Sequence, residues 1–127
     1  MERKLHHLAL GARDIDRVAA FYRDLLGLRE VSRHHESGGR LRSIWLDLGG
    51  PILMIERTEE PCRQVGGVGA GPFLLALAVD PAERVDLEGS LTAAGFPVES
   101  HTEHTTYFRD PEGNRVALSN YPMGKMP

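Results

Sequence analysis

A single cysteine, Cys62, occurs among the 127 residues, so no disulfide can form within the chain. A domain without staples must be held by its core, and this length is enough to bury one. One thiol also fits a reducing, cytoplasmic setting. Long apolar runs are missing too. The longest covers residues 73–79, which is strand length and far below the ~20 residues of a membrane helix. No signal-peptide core follows Met1-Glu2-Arg3-Lys4. Nor does one sign of charge prevail: 15 Lys and Arg stand against 18 Asp and Glu, interspersed, for a net −3. Without a basic stripe, nucleic acid is not an expected partner, and neither is a membrane. What is present, 41% hydrophobic and 26% charged residues, is ordinary for a globular protein.

Residues 5–11 read as a strand. Asp14 then stands where a helix N-cap belongs. Ile15, Val18, Ala19, Tyr22, Leu25 and Leu26 follow at helical spacing. Gly27 and Leu28 supply the stop. Residues 28–32 are expected as a short strand and 33–40 as a polar loop with Gly38 and Gly39. Residues 41–48 and 52–57 are two more strands, joined through Gly49-Gly50-Pro51.

Residues 58–72 break the pattern with Pro61, Pro72 and a cluster of glycines. They read as a linker. A phosphate-cradling loop would have to lead from a strand into a helix N-terminus, whereas this one leads into Pro72 and a strand. The order then recurs. Residues 73–79 form a strand, and Asp80-Pro81-Ala82-Glu83 is a capping-box helix start. Leu87, Leu91 and Ala94 give a core stripe, Gly89 weakens the helix, and Gly95-Phe96 repeats the stop. Residues 97–100, 105–109 and 114–119 are strands, the last two joined by the turn Asp110-Pro111-Glu112-Gly113. The expected architecture is α+β: paired βαβββ modules in one domain (residues 1–57 and 73–119, linker 58–72, tail 120–127). The repeat lies in pattern, not in residue identity.

The stretch from His6 to Asp14, followed by Phe21-Tyr22-Arg23-Asp24-Leu25-Leu26-Gly27-Leu28, resembles the opening of vicinal oxygen chelate proteins, the glyoxalase/bleomycin-resistance/extradiol dioxygenase superfamily. Tyr107-Phe108-Arg109-Asp110-Pro111-Glu112-Gly113-Asn114 is similar to that family's second-module hairpin. The resemblance implies a curved mixed sheet around a cleft, with helices outside. It implies a fold rather than one activity, since the fold hosts isomerases, lyases, dioxygenases, thiol transferases and metal-free drug binders. Family members are frequently homodimers. In the metal-dependent ones, four strand positions carry three or four His or Glu ligands. By the motifs these fall on His7, Met54, Leu74 and Ala117. Only His7 can ligate a hard or borderline cation, and one histidine does not hold such an ion. The expectation is therefore no metal and no other cofactor.

Strand alternation suggests the cleft lining. Leu5, His7, Ala9 and Gly11 share a face, as do Ile52, Met54 and Glu56; Leu74, Ala76 and Ala78; and Arg115, Ala117 and Ser119. Trp45 and Tyr107 are the nearest aromatics, for stacking on a ligand or for the core. The candidate ligand-binding residues are His7, Trp45, Met54, Glu56, Leu74, Ala76, Tyr107, Arg115 and Ala117. His7 is either a ligand contact or acid/base, or a structural remnant. Glu56 is either a buried base or a solvated strand end. Arg115 either clamps an anion or sits at the surface. Met54 is a pocket wall rather than a soft ligand. His34-His35 is expected as an exposed loop pair. A nucleophilic Cys62 would need a histidine beside it.

The catalytic residues are unknown, with His7 and Glu56 the candidates. Two functions compete. One is a small-molecule-binding, bleomycin-resistance-like protein without a complete metal site. The other is a metal-dependent lyase, isomerase or dioxygenase of the glyoxalase type. It would use a divalent ion held by an atypical set around His7 and Glu56, with His101 or His104 as a possible third ligand.

Overall fold

The computed structural model describes residues 2–123; Met1 and residues 124–127, the end of the expected tail, lie outside it. The chain divides into two compact units, one ending at Arg63 and the other beginning at Gln64. Each is a βαβββ unit, and the fold class is α+β.

In the first unit, β1 (His7–Ala12) leads to α1 (Ile15–Ala20), then β2 (Glu30–His35), β3 (Leu41–Asp47) and β4 (Ile52–Arg57). The sheet order is β1-β4-β3-β2. Only the β1–β4 pair is parallel. Asp14 caps α1 by accepting from the Arg17 N–H. Residues Phe21–Leu25 continue the helix as a π-helical turn, closed by Leu26 N–H to Phe21 C=O at 3.2 Å. The wider turn explains how the adjacent Phe21 and Tyr22 are both buried, edge to face at 5.0 Å. A plain 3.6-residue stripe has room for Tyr22 but not for Phe21. Ile15, Val18 and Ala19 complete the core with Ile44, Leu46, Leu53 and Ile55.

The loop expected over residues 33–40 is short, because β2 runs on to His35. Ser32, Arg33 and His34 pair with Trp45, Ile44 and Ser43. Arg33 also forks onto Glu30, with Nε to Oε2 at 2.8 Å. These cross-strand partners outweigh the polar composition. The turn proper is closed by Glu36 N–H to Arg40 C=O, with Gly39 at φ +88°.

The β3–β4 hairpin turns at Gly49 and Gly50, with φ of +87° and +128°. Asp47 Oδ1 accepts from both glycine N–H groups, at 2.8 and 2.9 Å. Those two bonds, Gly50's first, hold the Asp47 carboxyl below its ordinary pKa, against a smaller desolvation effect. Glu30 is likewise lowered, chiefly by the Arg33 guanidinium. A carboxylate with a depressed folded pKa adds stability above its unfolded value, about pH 4, and loses it as pH falls through the folded value. Melting temperature followed from pH 6 to 2.5 should therefore fall at the acid end. The fall should be shallower in Asp47→Asn; identical acid limbs would remove the turn from the account.

The second unit repeats the order with β5 (Leu75–Ala78), α2 (Pro81–Ala93), β6 (Ser100–His101), β7 (Thr105–Arg109) and β8 (Arg115–Ser119), in the order β5-β8-β7-β6. Its outer strands are shorter than the composition suggests: residues 73–79 shrink to Leu75–Ala78, and 97–100 yields only Ser100–His101. The Asp80–Glu83 capping box forms with Pro81 at the start. Gly95, at φ +93°, ends the helix, and Phe96 N–H reaches back to Leu91 C=O at 2.8 Å.

The expected α2 stripe is thinner than its letters. Leu91 alone is fully buried, Leu87 is half-buried and Ala94 is exposed. Polar bonds compensate. Arg84 donates to Thr106 Oγ1, the carbonyls of Thr102 and Glu103, and Asn120 Oδ1, at 2.7 to 3.2 Å. Glu88 lies 3.4 Å from Arg84 Nε. At the far hairpin, the buried Asp110 accepts from the N–H groups of Glu112, Gly113 and Asn114 and from Asn114 Nδ2.

Candidate functional site

Each sheet has one face toward its helix and one helix-free face. In the first unit, Leu53 and Ile55 point to the helix side and are wholly buried. Met54 and Glu56 alternate onto the helix-free face. The register gathers that face into rows. Ala9, Met54, Trp45 and Ser32 form one; Gly11, Glu56, Ser43 and His34 form the next; His7, Ile52 and Asp47 form a third.

The middle of this face is tied together by side chains. Trp45 Nε1 donates to Ser43 Oγ at 3.1 Å. The His34 ring lies 4.3 Å from the Trp45 ring, tilted by 42°, and His34 Nε2 bonds Ser32 Oγ at 3.0 Å. His34 is thus a structured member of the face, not half of an exposed loop pair; His35 alone is exposed. Alternation along β2 was the signal that could have found it. Glu56 is half-buried, and its Oε2 is sealed from solvent without a hydrogen-bond partner among the described residues.

His7 is exposed near the start of β1, its Nδ1 2.9 Å from His6 Nδ1. Beside it, Lys4, Leu5, His6, Gly49, Gly50, Pro51 and Ile52 line a concavity of about 670 Å³. That concavity contains none of Trp45, Met54 or Glu56. It lies at the strand ends, and we place the chemistry on the face instead.

In the second unit, Ala76, Ala117, Tyr107 and Ser100 make one row of the helix-free face, and Ala78, Ser119 and Thr105 the next. Ala117 is wholly buried, while Ala76 and Ala78 are exposed. Leu74 precedes β5 and is exposed. Arg115 stacks on Tyr107, its guanidinium carbon 4.1 Å from the ring centre, and its Nε is buried without a hydrogen-bond partner among the described residues. Arg115 is accordingly a packed side chain rather than a free surface one. The opposite residue, Arg109, forks onto Glu99 at 2.6 and 3.0 Å. His104 faces Tyr121 and lies 3.7 Å from Glu103, and His101 is exposed. Cys62 Sγ donates to the Arg63 carbonyl at 3.4 Å.

A metal centre does not fit these donors. His7 lies opposite Ile52 and Glu56 opposite Gly11. At about 3.3 Å per residue the two side chains leave the sheet roughly 13 Å apart, too far to share one ion. Among the described residues, no group of three or more His, Cys, Asp or Glu side chains is placed to hold a metal ion.

The family model described as the Glyoxalase/Bleomycin resistance protein/Dioxygenase superfamily matches residues 4–118. The chain belongs to that superfamily. Among solved glyoxalase-superfamily relatives, lactoylglutathione lyase from Agrobacterium tumefaciens is 26% identical over 93% of each chain, with a TM-score of 0.67. The fosfomycin resistance protein FosX from Listeria monocytogenes, complexed with Mn(II) and 1S,2S-dihydroxypropylphosphonic acid, is 16% identical. That match covers 97% of this chain and 96% of FosX, with a TM-score of 0.79. TioX from Micromonospora sp. ML1 is 24% identical over 94% of this chain and all of TioX (100%), with a TM-score of 0.66. At 16% and 24% identity the last two likenesses show the fold alone. No curated protein matches the chain. Among the described residues, no helix is long and apolar enough to cross a membrane.

Proposed function

We propose that this glyoxalase-superfamily chain is a small-molecule receptor that holds a partly apolar or aromatic ligand without a metal. One observation carries the proposal: three of the four positions implied as metal ligands are Met54, Leu74 and Ala117, which offer a hard cation no oxygen or nitrogen donor. Trp45 stands on the helix-free face of the first sheet, and Tyr107, Ala76 and Ala117 stand on that of the second. Such lining, apolar with a few fixed polar groups, suits a small organic molecule. The polar groups offered are His7 or Glu56 on the first face and Arg115 on the second. We further propose a cytoplasmic homodimer. The lone thiol supports the compartment, and the frequency of homodimers in the superfamily supports the assembly.

The test is a thermal-shift screen of the chelator-treated protein against aromatic and phosphonate compounds, with and without Ni²⁺, Zn²⁺, Mn²⁺ and Fe²⁺. Binders are expected to raise the melting temperature equally with and without metal. Light scattering is expected to give twice the chain's mass. Stoichiometric metal in the purified protein, lost in His7→Ala, would restore the metal-dependent enzyme as the better account.

A further inference from the structure

We propose that the helix-free face of the first sheet selects a flat aromatic ligand carrying a hydrogen-bond-donating, cationic nitrogen, which stacks on Trp45 and bonds Glu56. This rests on the receptor function above and adds the chemical class of its ligand.

Two independent features meet on this face. The first is a rigid aromatic wall. Trp45 is half-exposed, yet its indole cannot turn freely, because Ser43 Oγ holds Nε1 and the His34 ring packs against it. His34 is itself fixed by Ser32. A wall set before the ligand arrives loses little freedom on binding. The second is an acceptor without a donor. Glu56 Oε2 is buried and unbonded among the described residues. A carboxylate oxygen in that state costs stability, and rotation of the half-buried side chain that brings it to a ligand N–H removes the cost.

The register joins the two. Glu56 lies directly opposite Ser43, and Trp45 follows Ser43 on the same face of β3. Cross-strand neighbours are about 5 Å apart, so a bicyclic ring against the indole brings its substituent within reach of the carboxylate. The charge sets the sign of the ligand. No lysine or arginine shares the Glu56 row, which consists of Gly11, Ser43 and His34 besides it. An anionic ring would meet an uncompensated carboxylate, while a protonated aminoheterocycle supplies both donor and charge.

The experiment titrates the full chain at pH 7.5 with 4-aminoquinoline, which is flat, cationic and N–H-donating, and with 1-naphthoate, which is flat and anionic. Trp45 is the sole tryptophan, so its emission reads the event directly. Saturable quenching is expected with 4-aminoquinoline and none with 1-naphthoate over the same range. Glu56→Gln should weaken 4-aminoquinoline about tenfold or more, the worth of a hydrogen bond to a charged group. The same variant should melt no lower than the parent, since it removes an unbonded buried charge. His34→Ala, followed by calorimetry, should weaken the same probe by loosening the wall. Equal binding of the two probes, or an unchanged affinity in Glu56→Gln, overturns the proposal. Should another screened compound still stabilise the protein, the receptor function survives that failure; should none, both fall.

Discussion

Asp110→Ala is expected to destabilise the second unit by about 3–5 kcal/mol and to lower its melting temperature on the order of 10–20 °C. The carboxylate is buried and gathers four donors: the N–H groups of Glu112, Gly113 and Asn114, and Asn114 Nδ2. Gly113 N–H retains the Asp110 carbonyl at 3.0 Å, but the Glu112 and Asn114 side of the turn loses its acceptor. Asp110→Asn keeps an oxygen in place and should cost only about 1–2 kcal/mol, the loss of charge assistance. Calorimetry of the two variants checks the order. Equal losses would mean that the turn is held by its backbone and not by this side chain.

Arg84→Met is the second large effect, at about 3 kcal/mol or more. Methionine keeps the aliphatic stem that covers the sheet, so the change isolates the guanidinium. Four acceptors from three segments then lose a donor: the Thr102 and Glu103 carbonyls, Thr106 and Asn120. Glu88 loses its cation, though it keeps the Thr106 hydroxyl at 3.2 Å. Because α2 buries only Leu91 completely, this cluster supplies fixation that apolar packing does not. Arg84→Lys should recover a minor part, since an ammonium group cannot span acceptors arranged for a planar fork. Urea melts of the three proteins rank them. A lysine variant as stable as the parent would show that charge alone suffices.

The Asp110 turn was legible, since its donors lie within four residues of it, but the Arg84 hub was not, and the reason is physical. Arg84 stands one turn before Leu87 on the core stripe, where its charge gives no hint of a partner, and its acceptors come from distant turns and strands. Local periodicity carries no information about such partners. The helix boundaries were legible because their causes are local: Asp14, the Asp80–Glu83 box, and the glycines at 27 and 95 act within one turn. The strand parity was legible for the same reason, and Leu53 and Ile55 are buried as alternation requires. The extension of β2 was not, since polar letters at 33–35 are retained in the sheet only by their pairing with β3. For the site, sequence put Met54 and Glu56 on one strand face and Trp45 among the nearest aromatics, and the register pairs Trp45 with Met54. It missed His34, which completes the wall, and it paired Glu56 with His7, which the β1–β4 register separates.

That parallel register also bears on the order in which the chain can assemble. β1 must wait for β4, about 45 residues downstream, and β5 must wait for β8 at a similar span. The antiparallel hairpins of each unit close over short turns first, and the leading strand joins last across a long loop whose closure entropy must already be met. A nascent chain therefore carries His7–Ala12 unpaired until Ile52–Arg57 has been made, so the first strand of each unit is where chaperones, or a neighbouring copy of the same chain, have the longest opportunity to bind.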